Sequence, residues 1–124
     1  MRNKRLKSWF CALALLLLSC NLFARDDTGP NVITASSLPL AAQHTLMLIE
    51  QGGPFPYSKD GTVFGNYEKK LPRQRRGYYR EYTVKTPGVR HRGARRLIAG
   101  GEVASPSEFF YTADHYQTFQ RIRK

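Results

Sequence analysis

Glycine and proline interrupt this 124-residue chain so often after residue 52 that no long helix fits there. The stretch just before them, residues 38–51, has four side chains at the three- and four-residue spacing of one helix face: Ala42, Thr45, Leu46 and Ile49. Pro39 suits a first helical position, and Gly52 suits the left-handed residue that follows a last turn. The pattern predicts one amphipathic helix that lays this face on a sheet.

The segments after residue 61 are short and rich in aromatic and β-branched residues, which favour strands. The predicted strands cover residues 78–84, 97–99, 109–112 and 117–122, and Pro87-Gly88, Gly100-Gly101 and Ser105-Pro106 separate them. Before them, GPFPYSKDG at residues 53–61 predicts a structured loop. One helix followed by several strands predicts an α+β fold, with an N-terminal helix packed on a small antiparallel sheet.

The first 24 residues have the layout of an export signal peptide. Basic residues precede an apolar run over residues 9–18, namely Arg2, Lys4, Arg5 and Lys7. The run is shorter than the roughly 20 residues of a spanning helix, which argues against a stable membrane span. Cleavage after Ala24 predicts a secreted, extracellular or periplasmic protein. A lipoprotein-like box at Cys20 is the alternative and would anchor the chain to a membrane, but Leu18 fits that box poorly.

The remaining chain divides into a flexible polar segment, residues 25–37, and one domain, residues 38–124. About 100 residues suit a single core. Both cysteines, Cys11 and Cys20, lie in the signal. The domain is therefore expected to fold without a disulfide, on packing and hydrogen bonds alone.

The chain is strongly basic, with a formal charge of +11 that falls to +7 when the four basic residues of the signal are left out. A positive field attracts polyanions such as RNA, but it equally suits solubility or adhesion to anionic membranes. Charge alone therefore leaves the partner open.

The alternation of side chains along a strand predicts which residues of one candidate site share a face of the sheet. Glu81 shares a face with Tyr79 and Thr83, because residues two apart on a strand point the same way. Arg92 and Arg96 share parity, so an antiparallel neighbour would bring them to the same face. Each of these residues, taken singly, is also an ordinary surface charge.

RNA can be cut without a metal if a base takes the 2′-hydroxyl proton, cations stabilise the phosphorane and an acid protonates the leaving oxygen. Glu81, the two arginines and His115 are residue types that supply these roles. Arginine can pair with two phosphate oxygens, and histidine titrates near neutrality.

Four segments, in this order, resemble the guanyl-specific microbial ribonucleases of the barnase-like class. They are GPFPYSKDG at 53–61, VFGNYE at 63–68, GYYREYTVKTPGVRHRGARRLI at 77–98 and FFYTADHYQTF at 109–119. The resemblance runs from about residue 38 to residue 122. It implies the microbial ribonuclease fold and an endoribonuclease that needs no metal or cofactor. Such an enzyme cuts single-stranded RNA 3′ of guanosine, giving a 2′,3′-cyclic phosphate that is then hydrolysed.

Residue by residue, the resemblance implies that Glu81 is the general base and His115 the general acid. Arg92 and Arg96 would hold the phosphate. Tyr57 and Tyr116 match positions that orient phosphate or sugar or line the cleft, and simple packing is the alternative for both.

Base choice would fall to the VFGNYE segment. The resemblance implies that the Glu68 carboxylate accepts the N1–H and N2–H of guanine, while main-chain N–H groups of Gly65, Asn66 and Tyr67 read O6 and N7. Phe64 is expected to support the loop. Gly65 and Tyr67 depart from the larger polar or charged residues of related loops. Tyr67 is thus either a stacking surface for the base or an exposed loop aromatic.

Other departures from related ribonucleases concern the stability of the fold and the binding of longer RNA. The terminal disulfide of related ribonucleases is missing, and such a bridge typically contributes about 2 to 4 kcal/mol. Residues 100–108 look like a longer, glycine-rich connection between the arginine strand and the His115 strand. A basic cluster before the Glu81 strand either extends an RNA track or is simply solvated: Arg73, Arg75, Arg76 and Arg80.

The resemblance also implies a monomer and makes a proteinaceous ribonuclease inhibitor a candidate partner. The competing interpretation is a cationic RNA- or membrane-binding protein that keeps this fold without catalysis. Retained RNA binding with no cleavage would identify it.

Overall fold

The computed structural model describes residues 30–124. The predicted signal, its cleavage and lipidation sites and residues 25–29 lie outside this range. The described elements, in chain order, are β1 (Asn31–Thr34), a 3-10 turn (Ala35–Ser37), α1 (Leu40–Gln51), β2 (Thr62–Val63), β3 (Tyr79–Thr83), β4 (Arg96–Gly101), β5 (Pro106–Thr112) and β6 (Gln120–Arg123).

The strands form one sheet in the order β1-β6-β5-β4-β3-β2. Only β1 runs parallel to its neighbour, β6, and every other pairing is antiparallel. The predicted α+β fold, with one helix on a small antiparallel sheet, is confirmed. Within residues 30–124, no helix combines the length and apolar character needed to cross a bilayer.

Helix α1 buries the face that the sequence predicts. Its buried side chains are Ala42, Thr45, Leu46 and Ile49. Pro39 precedes the first helical residue rather than occupying it, and its carbonyl accepts the N–H groups of Ala42 and Gln43 at 2.9 and 3.0 Å. Gly52 ends the helix with φ +81°, a left-handed conformation that glycine adopts without a steric cost.

One core cluster lies between α1 and the sheet. Leu46 and Ile49 of the helix pack there with side chains of one sheet face, among them Tyr82, Leu97 and Tyr111. Burial of each such aliphatic side chain contributes about 1.5–3 kcal/mol. The Thr45 hydroxyl also donates to the main-chain carbonyl of Thr83 at 3.2 Å, which fixes the helix against β3.

A second buried cluster covers the opposite face of the sheet. Its members are Leu71, Tyr79, Ile98, Phe110 and Phe119, with Phe64, Tyr78 and Tyr116 packed around them. Tyr79 and Glu81 belong to this face, since Glu81 lies opposite Ile98 in the neighbouring strand. The cluster therefore supports the loop after β2 on the same face as Glu81.

Two edge strands were not predicted from the sequence. Residues 25–37 were expected to be a flexible segment, yet Asn31–Thr34 form β1 against β6, so the loop assignment is wrong for them. The two residues of β2 are both exposed and pair with Glu81 and Arg80. Edge pairing satisfies main-chain groups whatever the side chains are, so it leaves little pattern in a sequence.

The expected long connection over residues 100–108 is also wrong. Gly100 and Gly101 extend β4, while Pro106 opens β5, and the loop between the strands covers only residues 102–105. A Cβ at Gly100 would lie 2.7 Å from the Tyr78 ring and 3.0 Å from Glu108. Gly100 is a close approach inside the sheet, which a sequence cannot distinguish from a turn glycine.

Candidate active site

Glu81 is the centre of a hydrogen-bonded group on the sheet face opposite the helix. Its Oε1 lies 3.1 Å from Nη2 of Arg92, and its Oε2 accepts the Tyr116 hydroxyl at 2.8 Å. Only 15% of the Glu81 side chain is exposed, against 29% for Arg92. A carboxylate this sheltered from water is held in one orientation by charge-assisted bonds from two sides.

Arg92 lies before β4, and β3 orients it. Its Nε donates to the Thr83 hydroxyl at 3.1 Å. Thr83 stands two residues from Glu81 on the same strand and therefore on the same face. The two neighbours thus hold opposite ends of one guanidinium, leaving it little freedom to rotate.

Arg96 begins β4 directly opposite Thr83, so it projects onto the same face. Only 3% of its surface is exposed. Its Nη1 donates to the carbonyl oxygens of Arg95 and Arg92 at 2.7 and 3.4 Å, while its buried Nε has no hydrogen-bond partner among residues 30–124. A buried cation with an unused donor is suited to an anion, because the charge costs free energy until it is compensated.

His115 lies in the turn between β5 and β6 and is exposed. It has φ +53° and Tyr116 has φ +72°, a left-handed conformation that costs non-glycine residues roughly 1–2 kcal/mol each. The His115 N–H donates to the Ala94 carbonyl at 3.0 Å, which joins this turn to the loop between Arg92 and Arg96. The His115 and Tyr116 rings are 4.8 Å apart.

The Asp114 carboxylate holds this turn in place. It accepts the Thr118 N–H and hydroxyl at 2.9 and 2.6 Å, and the Thr112 hydroxyl at 2.9 Å. These bonds, those from Thr118 first, lower the pKa of Asp114 to about 2. The Thr112 oxygen in turn accepts the Tyr116 N–H at 3.1 Å. The ionised Asp114 therefore stabilises the strained conformation of the neighbouring His115 and Tyr116.

Tyr116 is the link between the turn and the carboxylate. Burial raises its pKa to about 12, and the hydrogen bond and negative charge of Glu81 act in the same direction, while Arg96 opposes them. The hydroxyl therefore stays protonated and keeps donating to Glu81 at neutral pH.

The VFGNYE segment borders a cavity of about 190 Å³ next to this group. Its lining comprises Phe64, Asn66, Tyr67, Glu68, Lys70, Tyr116 and Phe119. Phe64 stacks on Tyr116 with ring centroids 4.9 Å apart and meets the edge of Phe119 at 6.0 Å. One aromatic ring, that of Tyr116, thus borders both the cavity and the Glu81 carboxylate.

Asn66 holds this loop in shape. Its side-chain amide donates to the Leu71 carbonyl at 3.0 Å and accepts the Leu71 N–H at 3.1 Å. Its own φ is +53°. Glu68 has 69% of its side chain exposed and forms an ion pair with Lys70 at 3.4 Å. Asn66 therefore has a structural role in this loop through its side chain, whatever its main-chain N–H binds.

Gly65 and Tyr67 form a pair within the loop. A Cβ at Gly65 would lie 2.5 Å from the Tyr67 ring, so the absence of a side chain at residue 65 lets this ring lie against the main chain. Tyr67 is nevertheless 82% exposed, and its hydroxyl oxygen accepts Nη1 of Arg76 at 3.2 Å. The exposed ring is thus available to a ligand.

Tyr57 lies away from the VFGNYE segment and borders a different cavity. It lines a space of about 430 Å³ near α1, together with Thr83 and Lys85. Its connection to the Glu81 group runs through Thr83, whose hydroxyl accepts Arg92.

The structure adds residues that sequence reasoning missed. Thr83 orients Arg92, Asp114 orders the His115 turn, and Lys70 donates to the Gln117 carbonyl at 2.6 Å beside the cavity. The parity of Thr83 and the spacing of Thr112, Asp114 and Thr118 were the available signals. Among the described residues, no group of three or more His, Cys, Asp or Glu side chains could hold a metal ion.

Comparisons with known proteins show the family to which this fold belongs. A ribonuclease family model matches residues 23–123. Guanyl-specific ribonuclease Sa3 of Kitasatospora aureofaciens is 56% identical over 87 residues, which cover 70% of this chain and 60% of that protein. Guanyl-specific ribonuclease Sa of the same organism is 54% identical over 90 residues, covering 73% and 91%. Guanyl-specific ribonuclease St of Saccharopolyspora erythraea is 50% identical over 95 residues, covering 77% and 90%.

Solved structures of ribonuclease Sa2 are similar throughout the domain. One, of complexes with mononucleotides, superposes with a TM-score of 0.74 at 45% identity over 79% of this chain and 98% of that one. Another, with guanosine-2′-cyclophosphate, gives 0.70 at 45% identity over 77% and 97%. These matches confirm the resemblance inferred from the four sequence segments, and the chain belongs to the ribonuclease family.

Proposed function

We propose that this chain is a guanyl-specific endoribonuclease that cuts single-stranded RNA on the 3′ side of guanosine. The observation that carries the proposal is the Glu81 carboxylate, bonded to Arg92 and Tyr116 on the sheet face where Arg96 is buried with an Nε that no group of residues 30–124 accepts. A base beside two guanidiniums is what phosphoryl transfer to a 2′-oxygen requires. The names of the three relatives support the guanyl specificity.

In the first step, Glu81 takes the proton of the guanosine 2′-hydroxyl, and the 2′-oxygen forms a bond to the 3′-phosphorus. The phosphorus–O5′ bond breaks, and His115 gives its proton to the leaving 5′-oxygen. Arg92 and Arg96 stabilise the charge that gathers on the non-bridging oxygens. The products are a 2′,3′-cyclic phosphate and a free 5′-hydroxyl.

In the second step the roles reverse. His115 removes a proton from water, the water oxygen attacks phosphorus, the phosphorus–O2′ bond breaks, and Glu81 gives its proton to the departing 2′-oxygen. The product is a guanosine 3′-phosphate end. Both steps need one carboxylate and one imidazole in opposite protonation states, and neither step uses a metal or a cofactor.

Guanine would occupy the 190 Å³ cavity of the VFGNYE segment. The exposed Glu68 carboxylate can accept N1–H and N2–H of the base, a donor pair that adenine does not present. Main-chain N–H groups of Gly65, Asn66 and Tyr67 would meet O6 and N7. Phe64 and the exposed ring of Tyr67 offer apolar surface to the base faces. Unpaired guanosines are the expected targets, because single strands expose these base edges.

Tyr57 would act on the substrate from the cavity that contains Thr83. Its cavity contains Thr83, so we propose that Tyr57 helps to place phosphate or sugar beside Arg92. Cleavage of GpC by a Tyr57→Phe protein tests this role. A reduced kcat with an unchanged melting temperature supports it, and unchanged kinetics would leave Tyr57 a packing residue.

The first experiment compares cleavage of GpC and ApC in EDTA by the purified protein and its Glu81→Ala and His115→Ala variants. Rapid release of guanosine cyclic phosphate from GpC, by the parent protein alone, is the expected result. Strong inhibition by EDTA would contradict the metal-free mechanism. Undiminished RNA binding without cleavage by any of the proteins would instead identify a cationic binding protein on a ribonuclease fold.

The pH dependence tests the paired roles of Glu81 and His115. Activity is expected to rise as Glu81 loses its proton and to fall as His115 loses its own, which gives a bell-shaped profile. A flat profile would contradict the assignment.

DNA of the same sequence is expected to resist cleavage by this protein, because it has no 2′-hydroxyl to attack phosphorus.

We also propose that the protein acts outside the cytoplasm as a monomer, with residues 1–24 as its signal. Mass spectrometry of the protein from its natural host separates the two forms of export. A chain that begins at Arg25 means free secretion, and a lipid on Cys20 means a membrane anchor.

A proteinaceous inhibitor is a further proposed partner, and co-purification with the intact protein from the natural host would reveal it.

A further inference from the structure

A second cavity, of about 310 Å³, lies against the VFGNYE loop, and its described lining includes none of Glu81, Arg92 and Tyr116. It shares Phe64, Asn66 and Tyr67 with the proposed guanine cavity. Its opposite wall is the arginine segment, residues 73–76. Of the two cavities, Tyr116, which bonds to Glu81, borders only the proposed guanine cavity, so the cavities adjoin at the loop and the Glu81 group is next to the first.

The lining of this second cavity is strongly cationic. Lys69, Arg73, Arg75 and Arg76 contribute four positive charges, and no carboxylate from residues 30–124 lines the space. None of these four forms a salt bridge within residues 30–124, although the described chain has four such bridges elsewhere. Like charges brought this close repel one another, so a bound anion would be stabilised there.

Hydrogen bonds hold both walls in place. On one wall, Asn66 is bonded twice to Leu71. On the other, the Pro72 carbonyl accepts the Tyr79 hydroxyl at 2.5 Å, and the Arg75 carbonyl accepts the Tyr78 N–H at 3.1 Å. The residues at the two ends of the arginine segment are therefore bonded to the start of β3, through Tyr79 and Tyr78, which holds the segment in place.

Two further contacts hold the side chains of Arg75 and Arg76 in place. The Arg76 Nη1 donates to the Tyr67 hydroxyl at 3.2 Å, across the mouth of the cavity. The Arg75 guanidinium lies 5.9 Å from the centre of the Tyr78 ring. Each contact engages part of a guanidinium and leaves other N–H groups available, since arginine carries five donors.

We propose that this cavity is a phosphate subsite for the RNA chain on the 5′ side of the bound guanosine, an inference that rests on the proposed function. The guanosine 3′-phosphate is committed to Arg92 and Arg96. The strand leaves the bound nucleoside in the other direction through its 5′-oxygen, and the arginine cavity, which Tyr116 does not line, adjoins the base cavity. Guanidiniums that present several donors suit phosphate oxygens.

The test compares three substrates: GpC, CpGpC, which adds a phosphate on the 5′ side, and GpCpC, which adds one on the 3′ side. The test variant is Arg73→Gln with Arg75→Gln, two exposed arginines that touch no catalytic group. The matched control is Lys59→Gln with Arg123→Gln, which removes the same charge from exposed positions that do not line this cavity. Circular dichroism checks that both variants remain folded.

For the parent and the control, kcat/KM is expected to be higher for CpGpC than for GpC. The test variant should lose about three- to tenfold of that gain, mainly through KM, while cleavage of GpC stays unchanged. The salt dependence of the CpGpC reaction should also become shallower in the test variant. A 5′ gain retained by the test variant, or a loss seen with GpCpC instead, would overturn the subsite.

Binding keeps this test separate from catalysis. Oligomers with 2′-deoxyguanosine at the target position cannot react, so their dissociation constants report contacts alone. Tighter binding of CpdGpC than of dGpC, abolished by the arginine substitutions, supports the subsite even if GpC is never cleaved. Equal binding of the two oligomers by the parent protein overturns the subsite, whereas cleavage of GpC decides the proposed function independently.

Discussion

At the scale of single residues, the strained turn at His115 and Tyr116 depends on a few hydrogen bonds. Asp114 and Thr112 offset the cost of two left-handed residues, and Ala94 fixes the His115 main chain. Such strain persists only where surrounding contacts over-determine the conformation. In return, one turn presents an imidazole to solvent and a phenol to the Glu81 carboxylate.

Replacement of Tyr116 by phenylalanine tests the link to Glu81. The ring and its packing on Phe64 remain, but the donor at 2.8 Å is lost. We expect kcat/KM for GpC to fall about 10- to 150-fold, because a hydrogen bond to a charged group typically contributes about 1.5–3 kcal/mol. Steady-state kinetics measure the effect, and an unaltered kcat/KM would show that this bond has no part in catalysis.

Asp114→Asn tests the support of the turn through its pH dependence. The folded pKa of Asp114 is about 2, below the ordinary value of about 3.9 for an unfolded chain. Its contribution to stability is therefore full above about pH 4 and disappears as pH falls from about 4 to about 2.

Urea unfolding at several pH values measures this contribution. The Asp114→Asn protein should be less stable than the parent at neutral pH, and the difference should shrink across that acidic window. A difference that stayed constant throughout the window would mean that the Asp114 charge does not stabilise the turn. Asp60→Asn is a suitable comparison, because its carboxylate accepts the Tyr57 and Thr83 N–H groups elsewhere in the fold.

At the scale of elements, α1 stabilises the sheet by packing on the face opposite to the Glu81 group. Leu46→Ala is expected to lower the free energy of unfolding by about 2–5 kcal/mol, since the side chain is 6% exposed in the helix-side core. Met47→Ala, on the exposed side of the same helix, should change it by less than about 0.5 kcal/mol. Denaturant unfolding compares the two, and similar losses would contradict the assigned helix face.

The alternation of side chains along the strands, which can be read from the sequence, predicts which residues share the sheet face opposite α1. Glu81, Thr83 and Arg96 were expected on one surface, and the β3–β4 register puts them there. The edge strands β1 and β2 and the glycines inside β4 were not foreseen, because their pairing depends on main-chain neighbours that only the folded sheet supplies.

At the scale of the whole molecule, positive charge gathers around the proposed RNA path. Lys69 and the arginine segment line a cavity against the VFGNYE loop, and Arg92 and Arg96 lie on the sheet face of Glu81. A charge distribution of this kind accelerates the encounter with a polyanion and is screened by salt.

The salt dependence of cleavage tests this distribution. Between about 50 and 200 mM salt, kcat/KM for long single-stranded RNA should fall on the order of tenfold, because several phosphate contacts release counterions. The value for GpC, which carries one phosphate, should fall by only about two- to threefold. Equal losses for the two substrates would mean that the long RNA gains nothing from charges outside the active site.

The sequence by itself determined the helix, its buried face, the class of fold and the ribonuclease resemblance, because these depend on local periodicity and on the order of segments along the chain. Tertiary structure alone decided which groups touch. The bonds of Glu81 to Arg92 and Tyr116, the burial of Arg96 and the cavity between Lys69 and Arg75 join residues that are distant in the chain or obey no period. Such contacts exist only after the sheet has fixed its register and the loops have packed on it.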